Sequence, residues 1–127
     1  MNIEEIREYA LSLPLVTEDM AFGPDHLLFR ICNKIFGCLD LQRPDSVTVK
    51  CDPDYAEDLR EHHREIEPAW HWNKRYWNQI DLRGSLSDET IRALIRHSYS
   101  QVVAGLPRKV RLAHPDILTI DGTPLNL

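Results

Sequence analysis

Between Trp70 and Trp77 the chain reads Trp-His-Trp-Asn-Lys-Arg-Tyr-Trp, placing three indoles and two adjacent cations in one short stretch. Indole faces stack on nucleobases while Lys and Arg meet phosphates, the combination by which single-strand binders hold a nucleic acid. A cationic tip entering a groove would let Lys74 and Arg75 contact the phosphate backbone instead. The same residues also fit a hydrophobic core, because indoles are large and usually well buried. Strand alternation frames the choice. A hairpin with Asn73–Tyr76 as its turn pairs Trp72 with Trp77 and Trp70 with Gln79, so all three indoles share a face. Within its strand, however, Trp77 must point away from Ile80 and Leu82, whatever the register. Either the sheet is covered on both sides, or Ile80 and Leu82 are inside and the indoles partly exposed.

A second basic cluster, Arg108-Lys109-Val110-Arg111, follows the last expected helix. It offers either a further phosphate contact or cations that complement a helix C-terminus. The histidines do not make a metal site. His62 and His63 are adjacent, so their side chains diverge by about 100° on a helix and miss the i, i+4 pairing of zinc-binding helices. His71 has no spaced carboxylate partner, and His26, His97 and His114 are isolated. There is no G-x-S-x-G, P-loop or G-x-G-x-x-G, and Asp52, Asp54 and Asp58 fit helix-start charge better than a catalytic pair. No catalytic residue, cofactor or metal is expected.

The chain of 127 residues falls within the usual single-domain range of about 100–150. With 43% hydrophobic and 28% charged residues it has a globular composition, and a chain of this size can bury enough surface to fold without a disulfide or metal. It has no apolar run of membrane-spanning length and no signal-peptide pattern. Its three cysteines, Cys32, Cys38 and Cys51, form no C-x-x-C pair, which suits reduced thiols and a monomer in the cytoplasm. The net charge of −5 disfavours a polyanionic partner, but it is unevenly distributed: residues 1–68 sum to −8 and residues 69–111 to +5. Such asymmetry points to an anionic partner only if the positive segment, Arg83, Arg92 and Arg96 included, forms one contiguous patch.

The elements that must position these residues can be placed from local signals. Asn2 and Glu5 form a capping box, Ile3, Ile6, Ala10 and Leu13 follow at helical spacing, and Pro14 ends the run. Residues 15–25 carry loop signals around Gly23-Pro24-Asp25. His26–Cys32 and Ile35–Leu41 form a hairpin around Asn33-Lys34, whose register sets Phe29 beside Cys38 and Ile31 beside Phe36, all core with Leu27. That register turns Cys32 to the opposite face from Cys38. Ser46–Cys51 alternates with Val47, Val49 and Cys51 inward. Asp52-Pro53 starts a second helix that runs to about His62 and buries Ala56 and Leu59. Asn78–Leu82 is a strand. Ser87 caps a last helix with Ile91, Leu94, Ile95 and Val102 buried, which Gly105 ends and Pro107 keeps from restarting. The order is α-β-β-β-α-β-β-α: an α+β fold with an antiparallel sheet of two hairpins plus a strand packed against helices.

The chain resembles the MmcQ/YjbR-like family of small bacterial proteins from residue 1 to about 111. The matching stretches are Ile6-Arg-Glu-Tyr-Ala-Leu-Ser-Leu-Pro14, Val49-Lys-Cys-Asp-Pro53, Trp72-Asn-Lys-Arg-Tyr-Trp-Asn78, Gly84-Ser85, and His97-Ser-Tyr99 with Leu106-Pro-Arg-Lys109. The resemblance implies a CyaY (frataxin)-type fold and DNA binding through two hairpin wings, with residues 112–127 as a C-terminal tail beyond the single domain 1–111. Together these features lead to the expectation of a non-enzymatic DNA-binding module, its contacts Lys34, Asn73, Lys74, Arg75, Trp72, Trp77, Arg108, Lys109 and Arg111. The alternative is a protein-interaction or small-ligand domain that uses an exposed tryptophan face.

Overall fold

A computed structural model describes residues 1–125. Helix α1 (Ile3–Ser12) leads into β1 (Val16–Asp19), β2 (His26–Ile31), β3 (Lys34–Asp40) and β4 (Ser46–Lys50). Helix α2 (Pro53–His62), β5 (Ile66–Pro68), β6 (Trp77–Asp81), α3 (Asp88–Ala104) and α4 (Arg108–Ala113) follow, with a 3-10 turn at Pro115–Thr119. The strands form one antiparallel six-stranded sheet in the order β1-β2-β3-β4-β6-β5. The α+β expectation holds at this level, and one face of the sheet is buried under α1 and α3. No helix among the described residues is long and apolar enough to cross a membrane.

Local chemistry starts and stops the helices as expected. Asn2 and Glu5 make both capping-box bonds, the Asp52 carboxylate accepts from the amides of Asp54 and Tyr55, and Ser87 Oγ accepts from Thr90 N–H. Each cap satisfies amides that the first helical turn leaves unpaired. The inward set Val47, Val49 and Cys51 is buried, as are Ala56 and Leu59 and the α3 stripe.

Four expectations are corrected. The segment 15–25 is not all loop, because Val16–Asp19 pairs with β2 as an edge strand. Its polar residues have weak strand preference, but ion pairs hold it: Arg30 to Asp19 at 2.6 Å, and Arg7 to Glu18. The β2–β3 turn sits at Cys32-Asn33, whose φ values of 48° and 69° suit a primed hairpin turn, and Lys34 already belongs to β3. The register then steps from Phe29↔Gly37 to Arg30↔Ile35, leaving Phe36 as the extra residue of a bulge. Phe36 points into the core, alternation restarts one residue out of phase, and Cys38 faces Leu28 on the other side of the sheet instead of joining Phe29. Finally, the helix does restart after Pro107, which occupies the N-cap of α4, so Arg108, Lys109 and Arg111 are helical.

The motif His97-Ser98-Tyr99 staples α3 to three other elements. Tyr99 Oη donates to the Pro14 carbonyl at 2.7 Å, just past the end of α1. Ser98 Oγ donates to the carbonyl of the bulged Phe36, which the ladder leaves without a partner, and accepts from Lys50 N–H at 2.7 Å. His97 Nε2 accepts from the N–H of Asp52, the cap of α2, at 3.1 Å, and its Nδ1–H donates to Gly122 O at 2.7 Å. The described part of the 112–127 tail is thereby tied to the helix layer, with Ile117 in the core and Leu125 N–H donating to Tyr55 Oη; residues 126–127 lie outside the described residues.

Candidate functional site

The face of the sheet away from α1 and α3 carries a row of mixed side chains. Leu28, Cys38, Thr48, Gln79 and Glu67 are successive cross-strand neighbours on β2, β3, β4, β6 and β5. One step towards the far end, His26 lies opposite Asp40, and Ser46 opposite Asp81. Trp77 and Gln79 belong to this face and Asn78 and Ile80 to the core face, so the indoles and Ile80 are on opposite sides. The expected short hairpin is corrected: Pro68 pairs with Asn78 and Glu67 with Gln79, and residues 69–76 form a loop instead of continuing the strands.

That loop folds over the sheet because several bonds fix its path. Ala69 N–H donates to Trp77 O at 3.1 Å, His71 adopts a left-handed φ of 67°, and Asn73 Oδ1 accepts from Arg75 N–H in a local turn. From α2, Arg60 donates to the carbonyls of Lys74 and Trp77 and, at 2.6 Å, to Asn78 Oδ1. Buried Asn78 returns a bond to Ala56 O of α2. Thus Trp72 comes to rest on Trp77, ring centroids 4.4 Å apart, and reaches Phe22 of the β1–β2 loop at 6.1 Å. Trp70 is 59% exposed and carries the Lys74 ammonium 4.5 Å above its ring.

Beneath and beside this aromatic wall is a cavity of about 380 Å³ lined by residues that include Cys38, Thr48 and Gln79 below, His26, Asp40 and Arg43 at the far end, and Trp70 and Trp72. A second hollow of about 390 Å³ shares Arg43, Ser46 and Gln79 with it and extends towards Glu67, Asp81 and Arg83. The two adjoin through these shared residues and are together called the groove, and 380 Å³ is within the range that suits small ligands. Burial, reinforced by Asp40, pushes the Cys38 thiol in the floor up to about 12, away from the thiolate form.

The cations named from the sequence are only partly brought together. The β2–β3 turn and loop 69–76 leave the sheet at the same end, so Lys34, Lys74 and Arg75 share that end. Asn73 serves the loop's own turn. Arg108, Lys109 and Arg111 stand apart on α4 with no hydrogen bond to that loop among the described residues. The positive segment is not one patch. Arg83 is bound to Asp81 at 3.1 Å at the other end of the sheet, and Arg92 and Arg96 pair with Glu89 on α3. Sequence reasoning missed His26, Asp40, Thr48 and Gln79, on four separate strands, and Arg43 of the β3–β4 turn, which share no common motif. It also missed Arg60, which nothing in its local pattern distinguishes from a solvated helix cation. Asp58, Glu61 and His62 cluster on exposed α2, where His62 Nδ1 is engaged by Asp58 O at 2.8 Å.

The family model YjbR matches residues 11–101. The chain belongs to the YjbR family. It is 30% identical over 112 residues to the Escherichia coli K12 protein named "Uncharacterized protein YjbR", covering 87% of this chain and 95% of that one. It is 31% identical over 107 residues to YbdF of Escherichia coli O157:H7, covering 84% and 88%. Among solved structures, it is similar to Deinococcus radiodurans protein DR2400, with a TM-score of 0.82 at 26% identity over 98% of this chain and 91% of that one. A Pseudomonas syringae protein gives a TM-score of 0.69 at 25% identity, over 80% and 98%. The match with DR2400 extends across almost the whole YjbR-family chain described above, tail included.

Proposed function

We propose that this YjbR-family protein is a non-catalytic binding module whose site is the tryptophan-walled groove on the open face of its sheet. The observation that carries this reading is the 380 Å³ cavity with unpaired polar groups converging from three strands and the β3–β4 turn under an aromatic wall. Among the described residues the side chains of His26, Thr48, Gln79 and Arg43 make no hydrogen bond or ion pair, so a ligand can take them without breaking internal bonds. The loop that forms the wall is held from the far side by Arg60, which preorganises the site.

The test is amide and indole NMR during titration with a mixed library of amines, carboxylates, sugars and planar heteroaromatics. Saturable shifts confined to Cys38, Thr48, Gln79 and the indoles of Trp70 and Trp72 are expected. A library that leaves those signals still would overturn the reading.

A second reading, nucleic-acid binding by hairpin wings as in the CyaY-like comparison, is favoured by one observation: Lys34, Lys74 and Arg75 share an end of the sheet beside partly exposed indoles. It predicts DNA affinity that falls steeply with salt and falls further in Lys74→Ala/Arg75→Ala. Against it stand the groove carboxylates Asp40, Glu67 and Asp81 and the scattered, paired Arg83, Arg92 and Arg96.

A further inference from the structure

We infer that the groove takes a small organic cation, its ammonium head beside Asp40 and under the indole wall, a proposal that rests on the ligand-site reading and specifies it. Charge selects the class. The groove is lined by the carboxylates Asp40, Asp45, Glu67 and Asp81 and by the guanidinium groups of Arg43 and Arg83. Arg83 is committed, with both carboxylate oxygens of Asp81 at 3.1 Å and Asp45 at 4.0 Å. What remains is an excess of negative charge with Arg43 as its one uncommitted guanidinium. An anion entering the cavity would meet Arg43 and, at the rim, Lys74, but also the repulsion of Asp40.

Asp40 is placed to receive the positive head. Its Oδ1 accepts from Gln42 N–H at 2.9 Å, which orients the carboxylate, while it forms no ion pair among the described residues. Facing strand residue His26 and the floor residues Thr48 and Gln79 supply polar groups for a hydroxyl or amide on the ligand's body. The walls suit the same class. Aromatic faces attract ammonium groups, most strongly those of tryptophan, and sets of aromatic rings are used to hold quaternary ammonium ligands. This fold already contains the interaction once: the Lys74 ammonium sits 4.5 Å over Trp70 at the rim of the cavity. A carboxylate facing indoles across a cavity of this size joins both attractions in one place.

The experiment uses the full chain, tryptophan fluorescence and indole NMR signals, with choline as the probe. Its controls are the uncharged isostere in which carbon replaces the quaternary nitrogen, and adenosine monophosphate. Choline is expected to bind saturably in the millimolar range and the neutral isostere about tenfold more weakly or worse. Asp40→Asn keeps an acceptor for Gln42 N–H and should weaken choline by a similar factor. Arg43→Gln, which removes the cation lining the cavity, should strengthen it, so the pair of variants moves affinity in opposite directions. Equal binding of choline and its isostere, preference for the nucleotide, or no response to choline would each overturn the cation assignment. If another library compound still shifts the groove signals, the ligand site stands and only its specificity fails; if none does, both readings fall.

Discussion

On the helix-covered face of the sheet, Phe29, Phe36, Val47, Val49 and Ile80 meet Ile6, Leu94, Ile95 and Tyr99, and the polar groups present are tied up by His97, Ser98 and Asn78. On the other face, Leu28 and Cys38 are buried, but the row continues through Thr48, Gln79 and Glu67 to solvent, roofed only by a loop and its tryptophans. The two faces share strands and even single residues' neighbours, yet one is closed by apolar packing and the other leaves polar valences free. Stability resides mainly in the first, and the proposed binding site lies on the second, because a site needs groups that folding has not already consumed.

The largest effect that would sharpen this contrast is loss of core volume. Phe36→Ala, at the bulge, should destabilise by about 3–5 kcal/mol in chemical denaturation, whereas Trp70→Ala should change stability by no more than about 0.5 kcal/mol. Equal effects would break the division between the faces. Arg60→Ala removes the charged clamp between them and should cost about 2 kcal/mol. It should also alter folded-state tryptophan emission as Trp72 and Trp77 lose their fixed path; unchanged emission would mean that the loop holds itself.

Acid should act through the closed face. Burial lowers the pKa of His97, outweighing the bond to Gly122 and the charge of Asp52. The unfolded chain therefore binds the proton more readily than the folded one. His97's contribution is complete above its unfolded pKa of about 6.5 and is lost as pH falls from there towards the depressed folded value, with a slope of at most about 1.4 kcal/mol per pH unit. His97→Gln should flatten that part of the stability profile. The smallest effect is chemical. Burial raises Cys38 and Cys51 to about 12, so half-buried Cys32 should be labelled first by a thiol reagent in the native protein; prior labelling of Cys38 would show the groove floor open to reagent.

Much of the closed face was legible. Caps at Asn2, Asp52 and Ser87 and the alternation of Val47, Val49 and Cys51 depend on neighbours a few residues apart, and these elements are where they were expected. The candidate site was legible only in its aromatic half. Trp72 and Trp77 do meet, but through a folded-back loop and not through the strand pairing that alternation suggested. Asp40, Thr48 and Gln79 come from three strands and carry no signal until the sheet is assembled.

The sequence alone pointed to the family through its motifs, and it determined α1, α2 and α3 with their caps, the inward set of β4, and the separation of Trp77 from Ile80, because these elements follow from local backbone chemistry and a period of two. Tertiary structure decided the rest. Whether Cys38 points to core or groove depended on one extra residue at Phe36, stabilised by Ser98 from a distant helix. The wall of the groove depended on Arg60 reaching across from α2. Which cations stay free depended on where Asp81 and Glu89 came to lie. Each of these is a contact between residues far apart in the chain, made only when the chain closes on itself, and so local pattern carried no trace of it.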